Sequence, residues 1–271
     1  MSNRVIGQNG PVALTFHTLL TVFILAPLIV VILVSLSDKG YISMPFDGAS
    51  LRWYREILRA PELLSAFLLS IRLGIASATL ASAVAMPAAL AIARYRFVGR
   101  DGLMAFFMSP MMIPHVVLGI AFLRFFSIMA WTGSFAALVL VHMLIVTPFS
   151  LRLTLAAVIG LDRSAEHAAR SLGASRFVAF RRTLLPLILP GVAGGWVLAF
   201  IQSFDDVTMT IFVATPSTTT LPVALYNRIT QSSDPITTSV STVMIIGAIF
   251  FMFSLDRMVG LNNVLIGKRT G

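Results

Sequence analysis

The chain has 271 residues, of which 57% are hydrophobic and only 11% charged, with a net charge of +9 and a mean hydropathy of +0.91. A soluble domain carries about 25% charged residues, so the shortage of charge points to an all-α, polytopic membrane protein. The absence of cysteine excludes both a disulfide framework and a thiolate metal site.

Residues 1–10 form a short polar N-terminus carrying Arg4. Residues 11–36 are an apolar run, longer than the about 7–15 residues of a signal-peptide core. No small-residue cleavage site follows it, so it is expected to be a retained first span, bent or locally unwound at Pro27. Residues 37–62 are a polar connection in which Asp38, Asp47, Glu56 and Glu62 offset Lys39, Arg52, Arg55 and Arg59. Its stretch LRWYREILRA predicts a short amphipathic helix, with Trp53 and Tyr54 suited to a membrane–water boundary.

The second span, residues 63–93, is rich in Ala, Ser and Gly, which let helices approach closely where lipid offers no hydrophobic drive. Arg94, Arg96, Arg100 and Asp101 mark a short loop. The third span is predicted over 103–129 with Pro110 and Pro114 inside it, the fourth over 134–155, the fifth over 187–213 and the sixth over 236–255. Each is about 20 residues or longer, as a crossing of roughly 30 Å requires. A polar connection, 214–235, separates the last two spans, and 261–271 is a short basic tail. With both termini in the cytoplasm, thirteen basic and four acidic residues fall on that side, so the whole net charge of +9 is cytoplasmic. The reverse orientation violates the positive-inside bias throughout.

Between the fourth and fifth spans lies the longest strongly polar run, DRSAEHAARSLGASRFVAFRRTLLPLILPG, from Asp162 to Gly191. Its apolar residues recur at three- and four-residue spacing and Gly173 interrupts them, which predicts a short helix, a bend and a second short helix over 160–183. Physics alone leaves two readings open: a basic surface helix pair resting on anionic head groups, or a docking element for a soluble partner.

Chemistry-bearing motifs are few. A P-loop needs G-x-x-x-x-G-K-[ST], and neither Lys39 nor Lys268 sits in one, so ATP hydrolysis is expected in another chain and this one is not read as an enzyme. His17, His115, His142 and His167 are scattered without metal-ligand spacing, so no metal site is expected, and His115 and His142 read as satisfied interior residues. Neither G-x-S-x-G nor H-E-x-x-H occurs. Asp205 and Asp206 fall in the outer part of the fifth span. An intramembrane carboxylate costs about 2.5–3.5 kcal/mol on insertion scales. Two readings stand: an ion pair with Arg72 or Arg124, or a cation-attracting, gating part of a translocation path.

Ala168-Ala169, Leu172-Gly173-Ala174 and Leu185-Pro186 resemble the EAA signature of inner-membrane permease subunits of type I ABC importers. Asp162 to Ser164 and SFDDVTMTIFVATPSTTTLPV, from Ser203 to Val223, are similar to the polyamine branch of that family. The signature glutamate falls on His167, with Glu166 beside it, and the apolar position two before Leu-Pro falls on Thr183. The resemblance implies six transmembrane helices in the MetI-like permease fold. Residues 63–260 are then the permease core, 37–62 a periplasmic loop, and 160–183 the coupling helices. Arg163, Glu166, His167, Ala168, Ala169, Leu172, Gly173 and Ala174 are the residues that meet the ATPase. It also implies a second, different permease subunit, two ATPase subunits that hold ATP and Mg, and a periplasmic solute-binding protein in a bacterial inner membrane. Tyr226, Asn227 and Arg228 are expected to touch that binding protein, whereas the bland reading of 214–235 is a solvated connection. No cofactor is expected in this chain and no nucleic-acid partner. A self-contained secondary carrier or channel is the alternative. The substrate expectation is a polyamine, with an opine, an aminophosphonate or another small organic solute as alternatives.

Overall fold

The computed structural model describes residues 10–45, 48–162, 164–232 and 234–259, and the side chains among them except 254–256, 258 and 259. Arg163, Arg4, Lys268, Arg269 and the side chain of Asp256 lie outside the described residues. In chain order the helices are α1 (Pro11–Val34), α2 (Arg52–Leu58), α3 (Pro61–Arg94), α4 (Arg100–Met112), α5 (His115–Ile128), α6 (Phe135–Ile159), α7 (Ser164–Ser171), α8 (Arg176–Ala179), α9 (Leu185–Asp205), α10 (Thr210–Val213), α11 (Leu221–Gln231) and α12 (Ile236–Val259). A π-helical turn, Phe180–Leu184, joins α8 to α9. A single antiparallel bridge, Ser37 to Ala49, is the β-type pairing among the described residues.

The chain divides into two units. The smaller comprises the described residues up to Pro61 with Asn227–Met252. Here the connection after α1 folds back on itself. Ser50 N–H donates to Leu36 O (2.8 Å), Trp53 Nε1 donates to Ser37 O (3.0 Å), and Tyr54 shares a 2.6 Å hydroxyl contact with Ser35. Trp53 is therefore buried, and its indole N–H finds a backbone acceptor inside the unit. α1 runs unbroken through Pro27. Nearly all of it is exposed apolar surface, as suits a helix whose solvent is lipid or another chain.

The larger unit is built on Glu62–Tyr226. The buried face of α3 recurs at three and four residues through Ala66, Ser70, Leu73, Ser77, Ala81, Ala85 and Ala89. Such small residues bring neighbouring backbones close enough for side chains to bond across. Ser82 and Ser150 hydroxyls lie 2.9 Å apart, Ser77 Oγ reaches Val139 O on α6, and Trp196 Nε1 on α9 donates to Thr79 (3.0 Å). α9 lies against α6 through Gly191 and Gly195. A Cβ at Gly195 would stand 2.9 Å from Ser150 O, and one at Gly191 would collide with Ala157 Cβ. This is the small-xxx-small packing that membranes favour.

Two predicted spans are broken. The third is not one helix over 103–129: α4 and α5 meet at 98° across Ile113 and Pro114. Pro114 cannot continue the ladder and instead stands as the N-cap residue of α5. The fifth helix stops at Asp205, not at Val213. Asp206 is extended (φ −70°, ψ 121°), and the separate turn α10 follows. Among the described residues five helices are long and apolar enough to cross a membrane, or six if the bent pair is one span. The connection 214–235 is likewise not a solvated loop. Thr215 and Thr218 form a reciprocal capping box, and α11 buries Leu221, Pro222, Val223 and Leu225.

Candidate functional site

Two places in the larger unit collect polar side chains. The first is where the two broken spans meet. α5 packs against α10 because Gly119 has no Cβ to strike Phe212 and the Met209 backbone. This contact sets His115, first residue of α5, against Asp206: Nδ1 to Oδ1 is 3.4 Å. Asp206 also accepts from Thr210 N–H (2.9 Å) and from the Thr210 hydroxyl (2.6 Å). Its carboxylate thus takes up both the backbone N–H and the hydroxyl of the first residue of α10. The partner of Asp206 is therefore His115, and not Arg72 or Arg124, because the chain turns at the break and carries the side chain away from the axis of α9.

A chain of hydrogen bonds runs on into the protein. Thr210 Oγ1 contacts His142 Nε2 (3.0 Å), and His142 Nδ1 contacts Ser203 Oγ (2.8 Å). The one Thr210 hydroxyl proton goes to the Asp206 carboxylate, the better acceptor, so His142 Nε2 must carry the proton it shares with Thr210. His142, Thr210 and Ser203 are fully buried or nearly so. His142 is thus a satisfied interior residue, as expected, and it ties α6 to both sides of the break.

Asp205 differs. It is exposed, and among the described residues it makes no hydrogen bond or ion pair. It is also the last residue of α9, where the helix dipole presents its negative end and disfavours a carboxylate. Dipole and side chain together make a negative locus suited to a cation.

The second place is the polar run after α6. Asp162 accepts from the backbone N–H (3.0 Å) and the hydroxyl (2.8 Å) of Ser164 and so holds the start of α7. α7 ends in a Schellman turn: Ala174 N–H bonds Ala169 O (3.1 Å) and Gly173 N–H bonds Arg170 O (3.0 Å). Gly173 has φ 88°, a left-handed conformation that glycine adopts without steric cost. Ser175 caps α8 through Val178 N–H. The predicted helix–bend–helix is present. Leu172 (89% exposed) and Phe177 (69% exposed) stand out at the turn, and His167 and Ala168 are exposed beside them. Phe177 was part of the predicted apolar pattern but not of the predicted contact set. Its exposure on a turn otherwise rich in arginine shows only in three dimensions. Glu166 points the other way, to Arg94 (2.6 Å).

Of the residues expected to meet a binding protein, Tyr226 is 47% exposed on α11. Asn227 is half-buried, and Arg228 pairs with Asp234 at 3.2 Å. No group of three or more His, Cys, Asp or Glu that could hold a metal ion occurs among the described residues.

Residues 85–263 match the family described as "Binding-protein-dependent transport system inner membrane component". The chain is 30% identical over 231 residues to the spermidine/putrescine transport system permease protein PotC of Escherichia coli (strain K12), which covers 85% of this chain and 87% of the relative. It is 31% identical over 234 residues to the putrescine transport system permease protein PotI of the same organism, covering 84% and 83%. In fold it is similar to the crystal structure of a bacterial ABC transporter involved in the import of the acidic polysaccharide alginate. That likeness has a TM-score of 0.72 at 16% identity and spans 95% of this chain and 99% of the other.

Proposed function

The chain belongs to the family of binding-protein-dependent transport system inner membrane components, and on that premise we propose that it is one of two membrane subunits of an ATP-driven polyamine importer. It is a multi-pass transport permease and not an enzyme. Its place is the bacterial inner membrane, with the basic segments around α4, α7 and the C-terminus in the cytoplasm. Two ATPase subunits carry ATP and Mg and grip the α7–α8 turn, where Leu172 and Phe177 offer an apolar knob within a basic rim. A periplasmic binding protein delivers solute near Tyr226 and Asn227. Closure of the ATPases displaces α7 and α8 and reorients the spans around a path shared with a second permease chain.

One observation carries the substrate reading: Asp205, a carboxylate without a counter-ion among the described residues, stands at the negative end of an apolar helix. Such a locus attracts an ammonium group and repels an acidic solute. The identity to spermidine and putrescine permeases agrees with it. A self-contained carrier accounts for the spans equally well but not for an exposed knob on an arginine-rich turn.

Co-expression with a second permease subunit, an ATPase and a binding protein of a polyamine importer tests the assembly. The chain should co-purify with an ATPase and support uptake of labelled putrescine or spermidine. The double variant Leu172→Asp, Gly173→Arg should lose both. Retention of the ATPase and of uptake in that variant would refute the docking role.

A further inference from the structure

We infer that the Arg94–Glu166 ion pair is a second mechanical link between the docking turn and the membrane body, with Arg94 and Glu166 acting as positioning residues for transport. This inference rests on the reading of α7 as the ATPase-docking element.

Arg94 is the last residue of α3, and Glu166 lies in the first turn of α7, 72 positions later. Their guanidinium and carboxylate are 2.6 Å apart, and the Arg94 side chain is only 12% exposed. A guanidinium so far from water requires a counter-charge, and among the described residues Glu166 is the one it has. α7 buries none of its residues. It therefore has little packing through which to push, and a charge-assisted bond becomes a main tie to anything other than its own neighbours in the chain.

The other end of that tie is a rigid body. α3 is bonded to α6 through Ser77 and Ser82 and to α9 through Thr79. The Phe200 ring of α9 packs on Gly74, 2.9 Å from where a Cβ would stand. Force applied at α7 thus has two routes inward. One is the continuous chain through α8 and the π-helical turn into α9. The other is the ion pair into α3, which moves with α6 and α9. Glu166 also faces inward where the neighbouring exposed residue is His167, so the carboxylate of this turn serves α3 rather than a partner's cation.

The test uses the whole importer reconstituted in liposomes, with spermidine as the probe and ATP hydrolysis measured on the same vesicles. Arg94→Gln and Glu166→Gln should each retain the ATPase yet lower spermidine moved per ATP hydrolysed by about fivefold or more, the lower range of coupling between two sites. Exchanging the charges, Arg94→Glu with Glu166→Arg, should bring the ratio back to within about twofold of the parent. A ratio unchanged in both single variants overturns the link. So does loss of the ATPase from Glu166→Gln but not from Arg94→Gln, which would assign the carboxylate to the partner. If the glutamine variants do not accumulate in the membrane, Glu166→Asp keeps the charge, shortens the reach and carries the same test. A parent complex that retains no ATPase defeats the docking reading itself.

Discussion

Asp205 and Asp206 adjoin in the chain but sit in opposite surroundings, because the helix ends between them. Asp206 is buried against His115 and Thr210, while Asp205 projects from the end of α9 with no donor among the described residues. The two carboxylates should therefore answer substitution differently. Asp206→Asn weakens the pairing with His115 and the bonds from Thr210, and an unsatisfied buried group costs about 1–3 kcal/mol. The purified complex should melt at a lower temperature. Asp205→Asn removes a charge that opposes the helix dipole, worth about 0.3–1 kcal/mol, so stability should hold or rise slightly while polyamine uptake falls. Uptake unaffected by Asp205→Asn would remove this residue from the path. His115 supplies the partner that reasoning from the spans assigned to Arg72 or Arg124. Counting along an unbroken helix could not find it, since the pairing exists only because two helices break.

At the scale of elements, conformation and not space decides the α7–α8 turn. No atom lies within 4 Å of a Cβ built on Gly173, yet its φ is 88°. Gly173→Ala therefore introduces strain without a clash, about 1–2 kcal/mol for a left-handed alanine. It should lower the affinity for the ATPase several-fold without altering the amount of chain in the membrane, as a pull-down at graded ATPase concentration would report. Gly195 is the reverse case, an ordinary helical residue hemmed in by the Ser150 backbone. Gly195→Leu must push α9 off α6, at a cost of about 1–3 kcal/mol or more, and should cut the yield of folded chain. A normal yield would show that α6 and α9 part easily.

These elements also show what a sequence can disclose. The richness of α3 in small residues was legible from composition, though not which of them form its buried face, and so was the Gly173 break, where glycine sits between two amphipathic turns. The bends were not. Pro27, Pro87, Pro148 and Pro190 all lie inside continuous helices, whereas Pro114 stands at a 98° corner, and hydropathy is blind to that difference. α11 was hidden for a related reason. Its threonine-rich approach reads as loop, yet Thr218 and Thr220 are buried and its first backbone N–H, at Leu221, is taken by Ser70 (2.8 Å).

For the whole molecule, helix length and charge together bear on sidedness. The docking turn precedes α9 and α11 follows it. α9 has 21 residues, or about 31 Å at 1.5 Å each, which matches one crossing of a hydrocarbon core of roughly 30 Å. No other helix long enough to cross lies between Leu172 and Tyr226, so a crossing α9 puts these two residues on opposite sides of the membrane. The proposed orientation assigns the sides by charge: arginines cluster around the α7–α8 turn, and basic residues are retained in the cytoplasm. The chain has no cysteine of its own, so a single introduced thiol reports without background. Leu172 and Tyr226 are 89% and 47% exposed, open enough for a reagent to reach. Tyr226→Cys should label with a membrane-impermeant maleimide in intact cells stripped of their outer membrane. Leu172→Cys should label only once the inner membrane is opened. Labelling in the opposite order would invert the proposed orientation and place the arginine-rich turn beyond the reach of any cytoplasmic ATPase.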